Sequence, residues 1–139
     1  AVSTGQLWWP AGLAMVRFLR DHAGVLPGHK PLKVVEIGSG LGLVGMFVGK
    51  NWPQASVLLT DLDPALPSLA KGVAANFAEE ELDRIKVQAL PWGPSGEVEC
   101  DEIGTPDVVL GADVCYRDDL TDQALWTLCR LRADVCYRD

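Results

Sequence analysis

This chain of 139 residues has no apolar run of membrane-span length. A spanning helix, and any membrane partner, is therefore not expected. No charged-then-apolar leader is recognisable at the start either. The chain begins at Ala1 rather than Met, so the true N-terminus is expected to lie upstream. Cysteine and histidine are scarce. There are four cysteines (Cys100, Cys115, Cys129, Cys136), none in C-x-x-C spacing, and two histidines. A zinc site is not expected, and no metal is assigned. Reduced thiols and a cytoplasmic location fit better. Basic residues are also in deficit: 12 Lys and Arg stand against 19 Asp and Glu, a net charge of −7. That argues against a general affinity for nucleic-acid backbones. It suits a small ligand or a basic protein partner.

What is present is a core: 48% of the residues are hydrophobic and 22% charged, which suits one folded domain. The chain is organised around the stretch Val34-Val35-Glu36-Ile37-Gly38-Ser39-Gly40-Leu41-Gly42. It reads as a buried strand stopping at glycines and entering an apolar helix. Glycines at alternate positions allow a sharp turn and close approach of a ligand. The helix start offers free N–H groups and the positive end of its dipole. Glu36, at the strand end, is placed to accept hydrogen bonds from a ligand.

Around that turn the pattern alternates. Pro10 suits the start of a helix over 11–22, with Met15, Phe18 and Leu19 on its core face and Arg17, Arg20 and Asp21 opposite. Strands are expected at 33–37, 57–61, 85–90 and 108–110. Helices are expected at 41–51, from an Asp63 cap and Pro64 through Leu66, Leu69, Ala70, Val73 and Phe77, and at 119–131 with Leu120, Ala124, Leu128 and Leu131 inward. The run Glu79-Glu80-Glu81 reads as a solvated helix end. The third strand alternates apolar and polar residues and is expected at a sheet edge; the other three are apolar runs suited to its centre. Strand-helix alternation with such strands implies an α/β, doubly wound, Rossmann-like and mostly parallel sheet. Ligands of these sheets sit beyond the carboxyl ends of the strands. Glu36 to Gly42, Asp61, Trp92 and Asp113 all fall there, from separate parts of the chain.

Two cofactors fit the turn. Gly40-Leu41-Gly42-Leu43-Val44-Gly45 matches G-x-G-x-x-G, with Asp61 about twenty residues on, as in dinucleotide binding. Glu36-Ile37-Gly38-Ser39-Gly40-Leu41-Gly42 also matches E-x-G-x-G-x-G. That suits S-adenosylmethionine, whose ammonium end a carboxylate attracts, whereas it would repel a pyrophosphate. Asp61 then takes the ribose hydroxyls.

Five segments in order, Thr4 to Ala11, the glycine turn, Leu59-Thr60-Asp61, Leu90-Pro91-Trp92-Gly93 and Leu110 to Tyr116, resemble the family 16 methyltransferases over residues 4–131. These are S-adenosylmethionine-dependent enzymes with a seven-stranded sheet, many of them acting on protein lysines. The resemblance implies cofactor contacts at Trp9, Gly38, Ser39, Gly40, Asp61, Trp92 and Ala112, beside Glu36. It matches Asp113-Val114-Cys115-Tyr116 to the family's D-x-x-Y motif, which makes Asp113 and Tyr116 the candidate catalytic pair at the substrate pocket. The partner it implies is a protein presenting a lysine. A small-molecule methyltransferase, a cofactor-binding module without turnover and a dinucleotide-dependent oxidoreductase are the alternatives. The family's last strands have no counterpart here, so the domain, 1–131, is expected to be C-terminally incomplete. Residues 133–139 repeat 112–118 word for word, and 132–139 are expected to be a duplicated tail without function. Trp52 and Trp126 read as packing residues, His22 and His29 as surface, and Cys115 as packing.

Overall fold

The computed structural model describes residues 9–28 and 30–131. Trp8, His29, Cys136 and the repeated tail lie outside them. The elements are α1 (Pro10–Asp21), β1 (Leu32–Glu36), α2 (Leu43–Asn51), β2 (Ala55–Asp61), α3 (Leu66–Asn76), β3 (Ile85–Ala89), α4 (Glu97–Ile103), β4 (Val108–Leu110) and α5 (Asp118–Leu131). Among the described residues the strands form one sheet in the order β3-β2-β1-β4. Every pairing is parallel, with Val34 opposite Val57 on one side and Val108 on the other. β3 is at an edge, as its alternation predicts; β4 is the other edge among the described residues, although its apolar run suited the centre.

The pleat sends neighbouring residues of a strand to opposite faces. Val34, Val57 and Leu59 join α1, α2 and α3 in one core with Leu19, Val44, Val48, Leu69 and Val73. Val35 and Ile37 join α4 and α5 in the other, with Cys100, Ile103, Ala124 and Leu131. Both faces of the sheet are covered, which is why β1 is an uninterrupted apolar run. Between β2 and β4 the order reverses across β1. The crevice outside the carboxyl ends at that reversal is where such sheets hold ligands.

Several expectations need correction. α4 was not foreseen. It is short, and its inward residues are Cys100 and Ile103 alone, while Val98 is exposed. α3 starts at Leu66, after a 3-10 turn at Asp63–Ala65, and no side chain caps it. Pro64 belongs to that turn; Pro67 takes the first turn of the helix. Ala70 is exposed, so the inward stripe is narrower than expected. Phe18 points away from the core and stacks on exposed His22, ring centroids 4.6 Å apart. The acidic run is a 3-10 turn, not a helix end. Its Glu81 is a tie rather than a solvated charge, accepting the Ala78 N–H at 3.0 Å and an Arg84 Nη2 bond at 2.8 Å. Arg84 in turn donates to the Gly49 carbonyl at the end of α2. Cys115 is exposed rather than packed. Trp52 is buried and meets Phe47 edge-on, and Trp126 packs on the second core.

Candidate functional site

β1 delivers Glu36 to the sheet end, and the next six residues turn back into α2. Hydrogen bonds with the neighbouring strands shape this turn. Ile37 N–H donates to the Leu110 carbonyl at 2.9 Å, and Ser39 N–H to the Thr60 carbonyl at 2.9 Å. Thr60 returns its own N–H to Ser39 Oγ at 3.1 Å and its hydroxyl to the Glu36 carbonyl at 2.7 Å. The turn is therefore braced from β4 on one side and β2 on the other. Gly38 has φ +62°, and a Cβ there would lie 2.7 Å from Cζ2 of Trp92. Only glycine lets that ring close over the turn.

A cleft of about 460 Å³ opens at this end of the sheet. Gly38, Gly40, Asp61, Trp92 and Ala112, all half-buried, line it together with the exposed Trp9, Asp113 and Tyr116. Eight of the ten residues singled out from the sequence thus meet around one space. Trp9 is 43% and Tyr116 54% exposed, so both offer ring surface to a ligand. Asp61 is held by two backbone donors, Gly40 N–H on Oδ2 and Leu62 N–H on Oδ1, each at 2.7 Å. Asp113 has φ +61°, the one non-glycine residue in the left-handed region among the described residues. Such backbone strain concentrates at ligand sites.

The other two, Glu36 and Ser39, are placed differently. Both border a smaller cavity that shares Trp9, Gly38, Gly40 and Ala112 with the main one. Glu36 is 3% exposed, and its Oε2 accepts the Gly45 N–H of α2 at 3.0 Å. Gly45 makes room for this: a Cβ there would come within 2.7 Å of the same oxygen. Burial pushes the Glu36 carboxyl up to about 7, against the lowering effect of hydrogen bonds from Ser39 and Gly45. Its carboxylate is tied to α2 and borders the smaller cavity rather than the open cleft, and Ser39 spends its side chain on the turn.

Sequence reasoning missed several cleft residues: Leu62, Leu90, Ser95, Leu120 and Gln123. Leu120 sits on the apolar stripe of α5 and Gln123 beside it, so helical spacing gave the face but not the neighbour across it. The described residues contain no cluster of His, Cys, Asp and Glu fit to hold a metal. None of their helices is long and apolar enough to cross a membrane.

The architecture is that of the Rossmann-like methyltransferases. An O-methyltransferase family protein from Burkholderia thailandensis superposes with a TM-score of 0.61 at 20% identity, over 86% of this chain and 35% of that one. The sequence places it further. Residues 1–136 match the family model described as lysine methyltransferase, and the chain belongs to that family. It is 34% identical over 123 residues to the protein N-lysine methyltransferase METTL21A of Xenopus tropicalis, covering 88% of this chain and 53% of that protein. It is 35% identical over 124 residues to the EEF1A lysine methyltransferase 3 of the same organism, covering 87% and 51%. The chain spans about half the length of these curated relatives.

Proposed function

We propose that the cleft binds S-adenosylmethionine and that the protein transfers its methyl group to a lysine side chain of a protein substrate. The observation that carries this reading is the convergence of Gly38, Gly40, Asp61 and Asp113 on one cleft at the carboxyl ends of the strands. The donor set fits the cofactor. Gly38 and Gly40 leave backbone without side chains, Asp61 offers a carboxylate to ribose hydroxyls, and Trp9 and Trp92 offer aromatic faces. The ammonium end is assigned to the Glu36 side of the turn. When bound, the cofactor supplies an electrophilic methyl group on a sulfonium.

The chain's own task is then to position and desolvate. An amine attacks only without its extra proton, and an ordinary lysine holds it up to about pH 10.4. Asp113, an exposed residue of the cleft lining, holds the incoming ammonium and aims it down the cleft. Tyr116 walls the entrance and favours a cation by its ring face. The proton leaves to water, since no second acceptor is needed where Asp113 and Tyr116 are exposed to solvent. A net charge of −7 suits a basic protein substrate and disfavours nucleic acid. Cys100, Cys115 and Cys129 are free thiols, which agrees with a reducing, cytoplasmic setting. The function is assigned to residues 1–131; we give the repeated tail none.

The test is calorimetric titration of the 139-residue chain with S-adenosylhomocysteine, with NADH as control. Saturable binding of the first alone supports the reading and justifies a methylation screen on protein extracts. Binding of NADH alone overturns it.

A further inference from the structure

Thr127, on α5, is fully buried although polar. Its hydroxyl accepts the Gly93 N–H at 2.9 Å and donates to the Gln123 carbonyl one turn back at 3.0 Å. A hydroxyl has one proton and two lone pairs. Spending the proton on Gln123 turns the lone pairs toward Gly93, so the helix itself sets the direction of the bond. Gly93 follows Trp92 directly, and the Trp92 carbonyl accepts the Ser95 hydroxyl at 3.1 Å. The Trp92 ring in turn lies so close over Gly38 that a Cβ there would be 2.7 Å away. A continuous set of contacts therefore runs from Thr127 through Gly93 and Trp92 to Gly38 in the lining of the cleft.

We propose that Thr127 is a positioning residue for the ligand cleft: it anchors the Trp92-Gly93 segment and so sets the spacing between the Trp92 ring and the glycine turn. This rests on the cofactor reading above. Valine has nearly the shape of threonine and no hydroxyl. In Thr127→Val the Gly93 N–H loses its partner in a buried place, and the segment must shift to recover one. Thr127→Ser keeps the hydroxyl.

The experiment compares wild type, Thr127→Val and Thr127→Ser by calorimetry with two probes, S-adenosylhomocysteine and 5′-methylthioadenosine, which lacks the amino-acid end. Amide hydrogen exchange at Gly93 is followed alongside. Thr127→Val is expected to bind both probes about tenfold more weakly, the loss that about 1.4 kcal/mol produces. Thr127→Ser binds both as the wild type does, and Gly93 exchanges faster in the valine variant alone. A merely structural role lowers the unfolding midpoint and leaves both affinities alone; that result overturns the inference. Should the valine variant fail to fold, the wild type decides: a Gly93 amide that exchanges as freely as an exposed loop amide overturns it, and a protected one that slows further with S-adenosylhomocysteine upholds it. Failure of the folded wild type to give saturable heat with either probe overturns the cofactor reading itself, whereas binding that leaves Gly93 protection unaltered overturns the inference.

Discussion

The Asp61 carboxylate reaches back from the end of β2 to accept the Gly40 N–H of the glycine turn at 2.7 Å. Its other oxygen takes the Leu62 N–H at the same distance. One side chain thus joins the acid proposed for the ribose to the backbone proposed for the rest of the cofactor.

Two donors on two different oxygens need a carboxylate. Asparagine has one carbonyl oxygen, and its amide would face the second N–H donor to donor. Asp61→Asn and Asp61→Ala are both expected to weaken S-adenosylhomocysteine binding by roughly tenfold or more, as for hydrogen bonds to a charged group. Titration calorimetry checks this; wild-type affinity in Asp61→Asn would remove Asp61 from the site.

Glu36 makes stability depend on pH. Its carboxyl is pushed from 4.5 up to about 7 by burial. Between those values the folded chain binds more protons than the unfolded one. This group's stabilising contribution is present below about pH 4.5, declines as pH rises and is gone above about 7. Its full size is on the order of 3 kcal/mol. Glu36→Gln removes the titration, so the unfolding free energy of wild type minus variant should fall between those two pH values. Denaturant unfolding at several pH values measures it; a difference that rises with pH would refute the assignment.

Gly38→Ala forces a side chain into the left-handed region and against Trp92. The backbone alone costs about 1–2 kcal/mol. We expect a lower unfolding midpoint, altered tryptophan emission and weaker cofactor binding together. Unchanged emission with unchanged affinity would show that the ring does not rest on the turn.

Asp113→Asn keeps a residue that tolerates φ +61° while deleting the charge. Turnover on a lysine-bearing substrate is expected to fall while S-adenosylhomocysteine affinity stays at the wild-type level. Equal loss of both would move Asp113 from the substrate side to the cofactor side. Steady-state kinetics beside calorimetry separates the two.

The sheet was largely legible in the sequence because its signals are local. Val34-Val35 and Val57-Leu58-Leu59 are continuous apolar runs, and Ile85 to Ala89 alternates; burial on two faces or one writes those patterns directly. α4 was not legible, because seven residues with two inward positions give no periodicity to read. The outward turn of Phe18 is illegible in the sequence for a related reason. Spacing puts it beside Leu19, but only the docking of α1 on α2 decides which of the two meets the core.

The glycine turn, Asp61, Trp92 and Asp113 could be chosen from sequence because their chemistry sits at strand ends, and a parallel sheet gathers strand ends along one edge. What a side chain does once gathered depends on who faces it, and the partners are far apart in sequence. Glu36 turned out to brace Gly45 from inside rather than stand in the open cleft. Thr127 turned out to hold Gly93 from 34 residues away. Composition, periodicity and motif order are properties of short stretches and fix the class of fold and the kind of ligand. Pairings across the sheet, and the burial that moves a carboxyl to about 7, exist only once the strands and helices have closed on one another.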